Sequence, residues 1–294
     1  MTAPGLREQM AGELPVCAPL VLNPLMALMA REAGFRALYL GGGATGYVKT
    51  VLEANLGLSE MAQAGLEIRA CCDLPLILDA AAGWGDPMHL RRTMGMAEAA
   101  GFAAIEIEDQ ILPKRAHHHV GIEHMVPVEQ MVAKVREAVA VRRDPQTVIV
   151  ARTNGIRSSD MDDALARAEA YAEAGADVLL LSPRTPEELY RVAQSVDRPL
   201  MLLLRPGGLA AFAMTPVEMH DLGVRILVDT ATPLLAAYEA MAGIYGELAD
   251  GFTVTSRPLE DWAALQEAQH RTIALEDLLE VERRTVEPPQ DRSG

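Results

Sequence analysis

Short apolar runs alternate with amphipathic stretches eight times along this chain, and this alternation constrains the fold more than any other feature. Each run has four to eight residues, and several are almost wholly aliphatic, which is typical of parallel strands covered on both faces. Eight strand–helix units in 294 residues predict a closed (β/α)8 TIM barrel of the α/β class rather than an open sheet. The runs are Val16–Leu22, Ala37–Leu40, Pro75–Asp79, Ala103–Glu106, Thr147–Arg152, Asp177–Leu181, Pro199–Leu204 and Val224–Val228.

The segments between the apolar runs support the same architecture. Several helical patterns end in a glycine one turn before the next run, which is typical of a helix C-cap, at Gly34, Gly101 and Gly175. Three further helical patterns follow the eighth run, at Pro233–Leu248, Leu259–Gln269 and Ile273–Arg283. We predict a barrel over residues 1–250 and a C-terminal helical extension over residues 251–294, packed on the barrel or on a neighbouring subunit. The last fourteen residues or so, rich in charge, are predicted to form a frayed tail.

Charge and cysteine content exclude several classes of partner. The net charge is −15, from 26 Lys and Arg against 41 Asp and Glu, whereas nucleic acids and anionic membranes bind clustered Lys and Arg. No apolar run approaches the roughly 18 residues that a membrane span needs. The three cysteines, Cys17, Cys71 and Cys72, form neither a disulfide framework nor a zinc signature, and the first residues lack the apolar core of a signal peptide. We therefore predict a cytoplasmic protein with reduced thiols and a small-molecule partner.

A glycine-rich segment follows the second run, where a barrel would carry functional residues. Its sequence, Gly-Gly-Gly-Ala-Thr-Gly at residues 41–46, formally contains the dinucleotide pattern G-x-G-x-x-G, but it follows the second strand rather than the first. The interpretation we favour is that Gly41, Gly42 and Gly43 let backbone N–H groups approach an oxygen of a bound carboxylate or phosphate.

Acidic and basic side chains close three of the predicted strands. Asp79 ends an apolar strand, which is costly unless it binds something, although it could also cap the amides of its loop. Alternation places Glu106 and Glu108 on one face, and if they point inward with Asp79 they form a hard-oxygen site of the kind that Mg²⁺ takes. Arg152, followed by Asn154, is suited to clamp a carboxylate, and the alternative is a salt bridge that balances buried charge.

These residues carry a resemblance to a known family. Five segments resemble the isocitrate lyase/phosphoenolpyruvate mutase superfamily in order and spacing, over residues 15–245: Ala33–Tyr39, Asp79–Gly85, Ile107–Arg115, Ala151–Asn154 and Ala172–Asp177. The resemblance implies a (β/α)8 barrel, often a homotetramer with a swapped helix. It also implies Mg²⁺-assisted chemistry on a 2-oxo or 2-hydroxy carboxylate through an enolate-like intermediate, with Asp79 and Glu108 as the metal ligands. Lyase members need an acid to protonate the departing carbanion, whereas the mutase branch moves a phosphoryl group.

Several positions depart from the family pattern. Apolar or uncharged residues replace a second loop aspartate, an upstream aspartate, a serine, the cysteine of the mobile loop and an asparagine, at Ala81, Asn55, Gly41, Ala116 and Leu203. His118 keeps the histidine place of that loop, and Lys114 its lysine. The changes indicate fewer pocket charges and a more apolar wall. We expect weaker Mg²⁺ binding and a larger or more apolar substrate, with one carboxylate held by Arg152 and the Gly41–Gly43 amides.

The sequence therefore leaves three functional hypotheses. The first is a lyase that cleaves or forms a C–C bond next to a carboxylate, with Arg152, His118 and Lys114 as catalytic residues, Asn154 beside the substrate, and Mg²⁺ at Asp79 and Glu108. The second is a metal-independent reaction of the same barrel on a more apolar carboxylate, and the third is a non-catalytic paralogue. The consecutive histidines 117–119 could supply a proton or a metal ligand, or they could be solvated loop residues. A homo-oligomer, either dimer or tetramer, is expected from the resemblance.

Overall fold

The computed structural model describes residues 3–286, and within them eight short strands alternate with helices. The strands are β1 (Val16–Pro19), β2 (Leu38–Leu40), β3 (Leu76–Asp79), β4 (Ala104–Glu108), β5 (Val148–Arg152), β6 (Val178–Leu180), β7 (Leu200–Leu204) and β8 (Val224–Asp229). They pair in parallel in the order β1-β8-β7-β6-β5-β4-β3-β2, and a parallel bridge between Leu20 and Tyr39 joins the two edges. The sheet is a nearly closed barrel, so the predicted (β/α)8 fold class is confirmed.

Helices follow every strand. Within residues 3–286 they are α1 (Leu6–Met10), α2 (Pro24–Glu32), α3 (Gly42–Lys49), α4 (Leu58–Cys71), α5 (Pro87–Ala99), α6 (Val128–Val141), α7 (Gly155–Ser158), α8 (Met161–Glu173), α9 (Pro186–Ser195), α10 (Pro216–Asp221), α11 (Thr232–Ala249), α12 (Leu259–Thr272) and α13 (Leu275–Thr285). In the same part of the chain, three short 3₁₀ turns occupy Glu53–Asn55, Ala116–Val120 and Gly208–Ala211. The glycine segment after β2 is the first turn of α3.

The predicted extra C-terminal helices are present as α11, α12 and α13. Helix α13 runs to Thr285, so the predicted tail is helical over its first residues, 281–285, and its fraying stays a prediction. Residues 287–294 of the predicted tail lie outside the described residues.

Alternation along the strands builds two apolar layers. One layer is formed by every second strand residue, such as Ile77, Val150 and Ile226, which pack against one another inside the barrel. The other layer joins the intervening strand residues to the helices, and it includes Ile105 of β4 and Met131 of α6. Because both faces of each strand are buried, the runs are nearly continuous in apolar residues, as the sequence indicated.

The predicted helix C-caps are also confirmed. Gly34, Gly101 and Gly175 have φ angles of 93°, 81° and 105°, in the left-handed region where glycine carries no steric penalty. Each reverses the chain between a helix and the strand that follows it.

The chain divides into two compact units between Leu235 and Ala236. The boundary predicted at residue 250 lies after α11, and the predicted packing of the extension on the barrel or a neighbouring subunit stays a prediction. In the second unit, the Glu247 carboxylate accepts hydrogen bonds from the N–H groups of Thr255 and Ser256, at 2.6 and 2.9 Å. No helix within residues 3–286 combines the length and the apolar character that crossing a membrane requires.

Candidate active site

The alternation of the strands carries charged side chains to the carboxyl-terminal mouth of the barrel. Asp79, Glu106 and Arg152 each lie two positions after a strand residue that packs inside the barrel. Side chains two positions apart on a strand point to the same face, so all three of these side chains also point inward. Glu106 and Glu108 lie on one face of β4, as predicted, since both contact Arg152. In the sheet, Asp79 is the neighbour of Glu106, and Glu108 is the neighbour of Arg152. The side chains on which the functional prediction depends therefore lie at one mouth.

Arg152 is the central cation of this mouth. Its Nη1 donates to Glu106 Oε1 at 2.9 Å, and its Nε lies 3.4 Å from Glu108 Oε2 and donates to Asn154 Oδ1 at 3.2 Å. Asn154 Nδ2 in turn donates to Glu108 Oε2 at 3.1 Å. Among residues 3–286 no side chain is bonded to Nη2 of Arg152, whose side chain is 11% exposed. Arg152 thus balances buried acids and still presents N–H donors to a ligand.

Asp79 holds the glycine turn against the loop that follows β3. Its Oδ2 accepts the Gly42 N–H at 3.0 Å, and its Oδ1 accepts the Ala81 N–H at 3.0 Å. This is the loop-capping role that the sequence left open as an alternative. Ala81 adopts a φ of 46°, and its methyl group offers no ligand to a cation.

The N-terminus of α3 presents two free amides beside Asp79. Gly41 is the N-cap residue and has no side chain with which to bond the first turn. Among residues 3–286 no acceptor meets the N–H groups of Gly43 and Ala44, and both residues line the cavity of the mouth. Free amides at the positive end of a helix are suited to an anionic oxygen.

Glu53 is a site residue that the sequence analysis missed. It begins a 3₁₀ turn that packs on α3 only because Gly46 has no side chain: a Cβ there would lie 2.5 Å from the Glu53 nitrogen and the Leu52 carbonyl carbon. The Glu53 carboxylate is 4% exposed, and its Oε1 has no hydrogen-bond partner among residues 3–286. Asn55, where the resemblance indicated a lost carboxylate, is exposed and donates to the Val51 carbonyl. The acid is therefore supplied from two residues earlier, which corrects the expected loss of charge.

Lys114 is buried between two carboxylates. Its Nζ lies 2.6 Å from Glu108 Oε1 and 2.7 Å from Glu53 Oε2, and its side chain is 3% exposed. The loop that carries it is held at its base by the antiparallel bridge between Gln110 and Met125. The sequence indicated Lys114 as a loop residue of the site, but not that it would fill the space between these acids.

Of the three consecutive histidines, His118 lines the cavity. Its Nδ1 lies 2.8 Å from Glu123 Oε2, and its Nε2 lies 3.7 Å from Glu53 Oε2. His117 instead packs against His124, and His119 lies within 3.1 Å of the Tyr47 hydroxyl. A carboxylate that orients an imidazole toward a pocket is a common arrangement for proton transfer.

Burial and charge give the acids of the mouth opposite titration behaviour. Burial raises the pKa of Glu53 to about 7 and that of Glu106 to about 8. Burial alone would also raise the pKa of Glu108, but the neighbouring charges of Lys114 and Arg152 outweigh it and lower that pKa. The carboxylates of Glu108 and Glu53 raise the pKa of Lys114 despite its burial. Glu108 and Lys114 therefore form an ion pair, while Glu53 and Glu106 take up protons near neutrality.

A fully buried acid behind the mouth fixes the end of β5. Asp109 accepts hydrogen bonds from the Thr153 hydroxyl at 2.6 Å, the Asn154 N–H at 3.1 Å and the Tyr171 hydroxyl at 2.9 Å. These bonds hold Asn154 at the height where it reaches Glu108 and Arg152. Asp109 supports the site without touching the cavity.

A cavity of about 260 Å³ opens at this mouth. Its polar lining residues include Tyr39, Glu53, Asp79, His118 and Arg152. Its apolar lining residues include Ala44, Leu203, Ala231, Leu234 and Leu235. Leu203 lies in the wall, as the sequence indicated. The ionic cluster therefore leaves room for a small guest molecule.

A (β/α)8 barrel that gathers cations, acids and a histidine around a cavity at its carboxyl-terminal mouth defines an enzyme of the barrel class. The chain matches the family model of phosphoenolpyruvate phosphomutase over residues 6–249, and it belongs to this family. The resemblance stated from the sequence is confirmed.

Named relatives support the same assignment. A 2-methylisocitrate lyase of Aeropyrum pernix is 36% identical over 83% of this chain and 78% of that protein. A 2,3-dimethylmalate lyase of Eubacterium barkeri is 32% identical over 84% of this chain and 86% of that protein. A phosphonopyruvate hydrolase solved with oxalate and Mg²⁺ superposes with a TM-score of 0.81 at 25% identity, covering 97% of this chain and 100% of that one. The prediction of a lyase-type enzyme of this superfamily is confirmed by these relatives.

The donors at the mouth do not fit a dedicated Mg²⁺ site as they are arranged. Both Asp79 oxygens accept backbone N–H groups, and the Glu108 oxygens are bonded by Lys114, Asn154 and Arg152. Throughout residues 3–286, no three His, Cys, Asp or Glu side chains are grouped to hold a metal ion. Mg²⁺ favours near-octahedral oxygen coordination. Mg²⁺ at Asp79 and Glu108 stays a prediction, and no step proposed below depends on the ion.

Proposed function

We propose that this enzyme cleaves the C–C bond next to a carboxylate in a small 2-oxo or 2-hydroxy acid, or forms that bond in reverse, through an enolate-like intermediate. One observation carries the proposal: Arg152, the free amides of α3 and His118 surround the same cavity. An anion-binding group and a proton-transfer group around one small cavity are what such a reaction needs.

The substrate carboxylate is assigned to Arg152 and the glycine turn. Nη2 of Arg152 and the N–H groups of Gly43 and Ala44 are donors without an internal partner among the described residues. Gly41 and Gly42 shape this subsite, because a Cβ on Gly42 would lie 2.9 Å from Glu53 Cγ and one on Gly41 would lie 3.0 Å from the Tyr39 ring. Asn154 is assigned to orient Arg152.

The reacting bond needs a proton acceptor, positive charge and a proton donor. For a 2-hydroxy acid, the hydroxyl group gives up its proton, and the electron pair of the O–H bond forms the second carbon–oxygen bond of the new carbonyl group. The adjacent C–C bond then breaks, and its electron pair forms the enolate of the second product, whose carbon takes a proton. We assign the hydroxyl proton to Glu53, whose Oε1 is bare, and the carbon's proton to His118, oriented by Glu123. Lys114 and Arg152 supply positive charge beside the enolate oxygen.

The apolar wall limits the substrate. Leu203, Leu234 and Leu235 offer no hydrogen bond to a second or third carboxylate, and burying an unpaired charge against them is costly. Alkyl substituents on the substrate gain roughly 0.8 kcal/mol per buried CH₂ group instead. The proposal therefore favours a substrate with few carboxylates and an alkyl-substituted carbon chain.

A four-substrate screen tests the proposal. The purified enzyme is incubated with oxaloacetate, 2-methylisocitrate, 2,3-dimethylmalate and phosphonopyruvate, and pyruvate, acetate and phosphate are measured. We expect turnover of a carbon–carbon substrate and a loss of at least about 100-fold in kcat/KM in Arg152→Ala.

The matched control is Arg91→Ala, which removes an arginine paired with Glu137 on the surface, and it should keep full activity. Phosphate release from phosphonopyruvate alone would replace the proposal by phosphorus–carbon cleavage. Equal rates in Arg152→Ala and Arg91→Ala, with folding intact, would contradict the assignment of the carboxylate to Arg152.

We further propose that the enzyme is a cytoplasmic homo-oligomer, a dimer or tetramer. The free thiols of Cys17 and Cys71 on the surface support a reducing compartment. Light scattering on the full chain measures the subunit number, and a monomer would contradict this proposal.

A further inference from the structure

The most unusual feature of the mouth is a buried ammonium group where carboxylate oxygens converge. Lys114 is 3% exposed on its side chain and contacts Glu53 and Glu108 at 2.7 and 2.6 Å. A buried ammonium costs several kcal/mol unless it is closely paired. Two carboxylates at these distances supply that pairing, and they hold the ammonium group in this position.

The oxygens that Lys114 contacts are the ones that a bound cation would need. Oε2 of Glu108 is already bonded by Asn154, which leaves Oε1, and Lys114 takes it. Lys114 also takes Oε2 of Glu53, while Oε1 of Glu53 is buried and meets no partner in the part of the chain that the structure describes. An added divalent ion would therefore find one bare carboxylate oxygen and a positive charge next to it.

The two remaining acids of the mouth are committed elsewhere, and Glu106 accepts hydrogen bonds from Arg152 and from the Tyr39 hydroxyl. Asp79 accepts one backbone N–H on each oxygen, and the neighbouring Ala81 presents a methyl group. Repulsion between Lys114 and a divalent ion would be strong at this depth, because the buried surroundings screen charge weakly.

We infer that the Lys114 ammonium occupies the cation position of this site, so that the enzyme stabilises its anionic intermediate without a bound divalent ion. This inference deepens the proposed function, because Lys114 then supplies the charge that balances the enolate oxygen. A side chain of the enzyme then supplies the positive charge that a bound metal ion would otherwise supply.

Metal titration of the full chain tests the inference without turnover. Wild-type enzyme is titrated with MnCl₂ and MgCl₂ by isothermal titration calorimetry, and no stoichiometric binding is expected. Lys114→Met removes the ammonium and frees the oxygens of Glu53 and Glu108. This variant should bind one Mn²⁺ at least about tenfold more tightly than wild type, and Lys114→Met/Glu108→Gln should lose that gain.

A matched control removes an exposed lysine that also faces an acid. Lys49→Met deletes an ammonium 3.6 Å from Glu60, where both side chains are more than 40% exposed, and it should gain no metal binding. Circular dichroism establishes that each variant is folded, and Lys114→Gln is the second variant if Lys114→Met does not fold.

One equivalent of Mn²⁺ bound by the wild type and lost in Glu108→Gln would overturn the inference, and so would a folded Lys114→Met with no gain. Should both Lys114 variants unfold, the wild-type titration decides alone: stoichiometric binding overturns the inference and its absence supports it. Because the readout is binding, a negative substrate screen would remove the proposed reaction and leave this result standing.

Discussion

Gly46 controls whether Glu53 reaches the site, and Gly46→Ala tests this directly. A Cβ at Gly46 would lie 2.5 Å from both the Leu52 carbonyl carbon and the Glu53 nitrogen, distances at which the 3₁₀ turn must move. The contacting atoms are backbone, so no side-chain rotation relieves the clash. Overpacking of this kind costs about 1–3 kcal/mol. Alanine returns about 0.5–1 kcal/mol of helix propensity, so the expected net loss lies between about 0 and 2.5 kcal/mol and is centred near about 1 kcal/mol.

Gly43→Ala is the matched control, because it places the same substitution in the same helix. The nearest atom to a Cβ at Gly43 is Glu53 Oε2, at 4.0 Å, so no clash arises. This variant should gain up to about 1 kcal/mol from helix propensity. The two substitutions are therefore expected to change stability in opposite directions.

Urea denaturation of wild type and both variants measures the free energies of unfolding. The kcat/KM of Gly46→Ala, on the substrate found by the screen, should also fall because Glu53 is displaced. Equal stability of the two variants would refute the argument, since it would mean that the turn at Glu53 adapts without cost.

Two further predictions concern charged groups of the mouth. Glu123→Gln removes the carboxylate that orients His118, and kcat should fall about 10- to 100-fold with a smaller change in KM; a change in KM alone would contradict the positioning role. Burial raises the pKa of Glu106 to about 8, above its ordinary value of 4.5, so the folded state binds this proton more tightly than the unfolded state. That contribution to stability is complete below pH about 4.5 and is lost as the pH rises through about 8. Between pH 5 and pH 8, the free energy of unfolding measured by urea denaturation should fall less in Glu106→Gln than in wild type. Equal falls in the two proteins would contradict the raised pKa of Glu106.

The barrel and half of its mouth were predictable because both follow from local periodicity. Strands buried on both faces must be apolar throughout, so a charged residue at the end of one stands out, as Asp79 and Arg152 do. The two-residue period then places Glu106 and Glu108 on one face without any knowledge of the fold. Such inferences need only the neighbouring residues.

Glu53 and Glu123 could not be found in this way. Both lie in irregular segments between a strand and the next long helix, where no periodicity relates a residue to a direction. The direction of Glu53 depends on the close approach of its turn to α3 at Gly46, a contact between backbone segments. The direction of the Glu123 side chain depends on how the loop between Gln110 and Met125 folds back on itself. A glycine in the middle of a helix, such as Gly46, is the one local signal that could have indicated a close backbone approach.

The charge balance of the mouth adds to the argument from the apolar wall. Four acids face two permanent cations, Lys114 and Arg152, and each cation already contacts at least one of the acids. Because Glu53 and Glu106 take up protons near neutrality, the site comes close to neutral without a substrate. Little positive charge then remains for a guest with several carboxylates, and each unpaired one would be costly to bury. The proposed function therefore predicts a higher kcat/KM for the dicarboxylate 2,3-dimethylmalate than for the tricarboxylate 2-methylisocitrate in the substrate screen, and equal values would contradict this expectation.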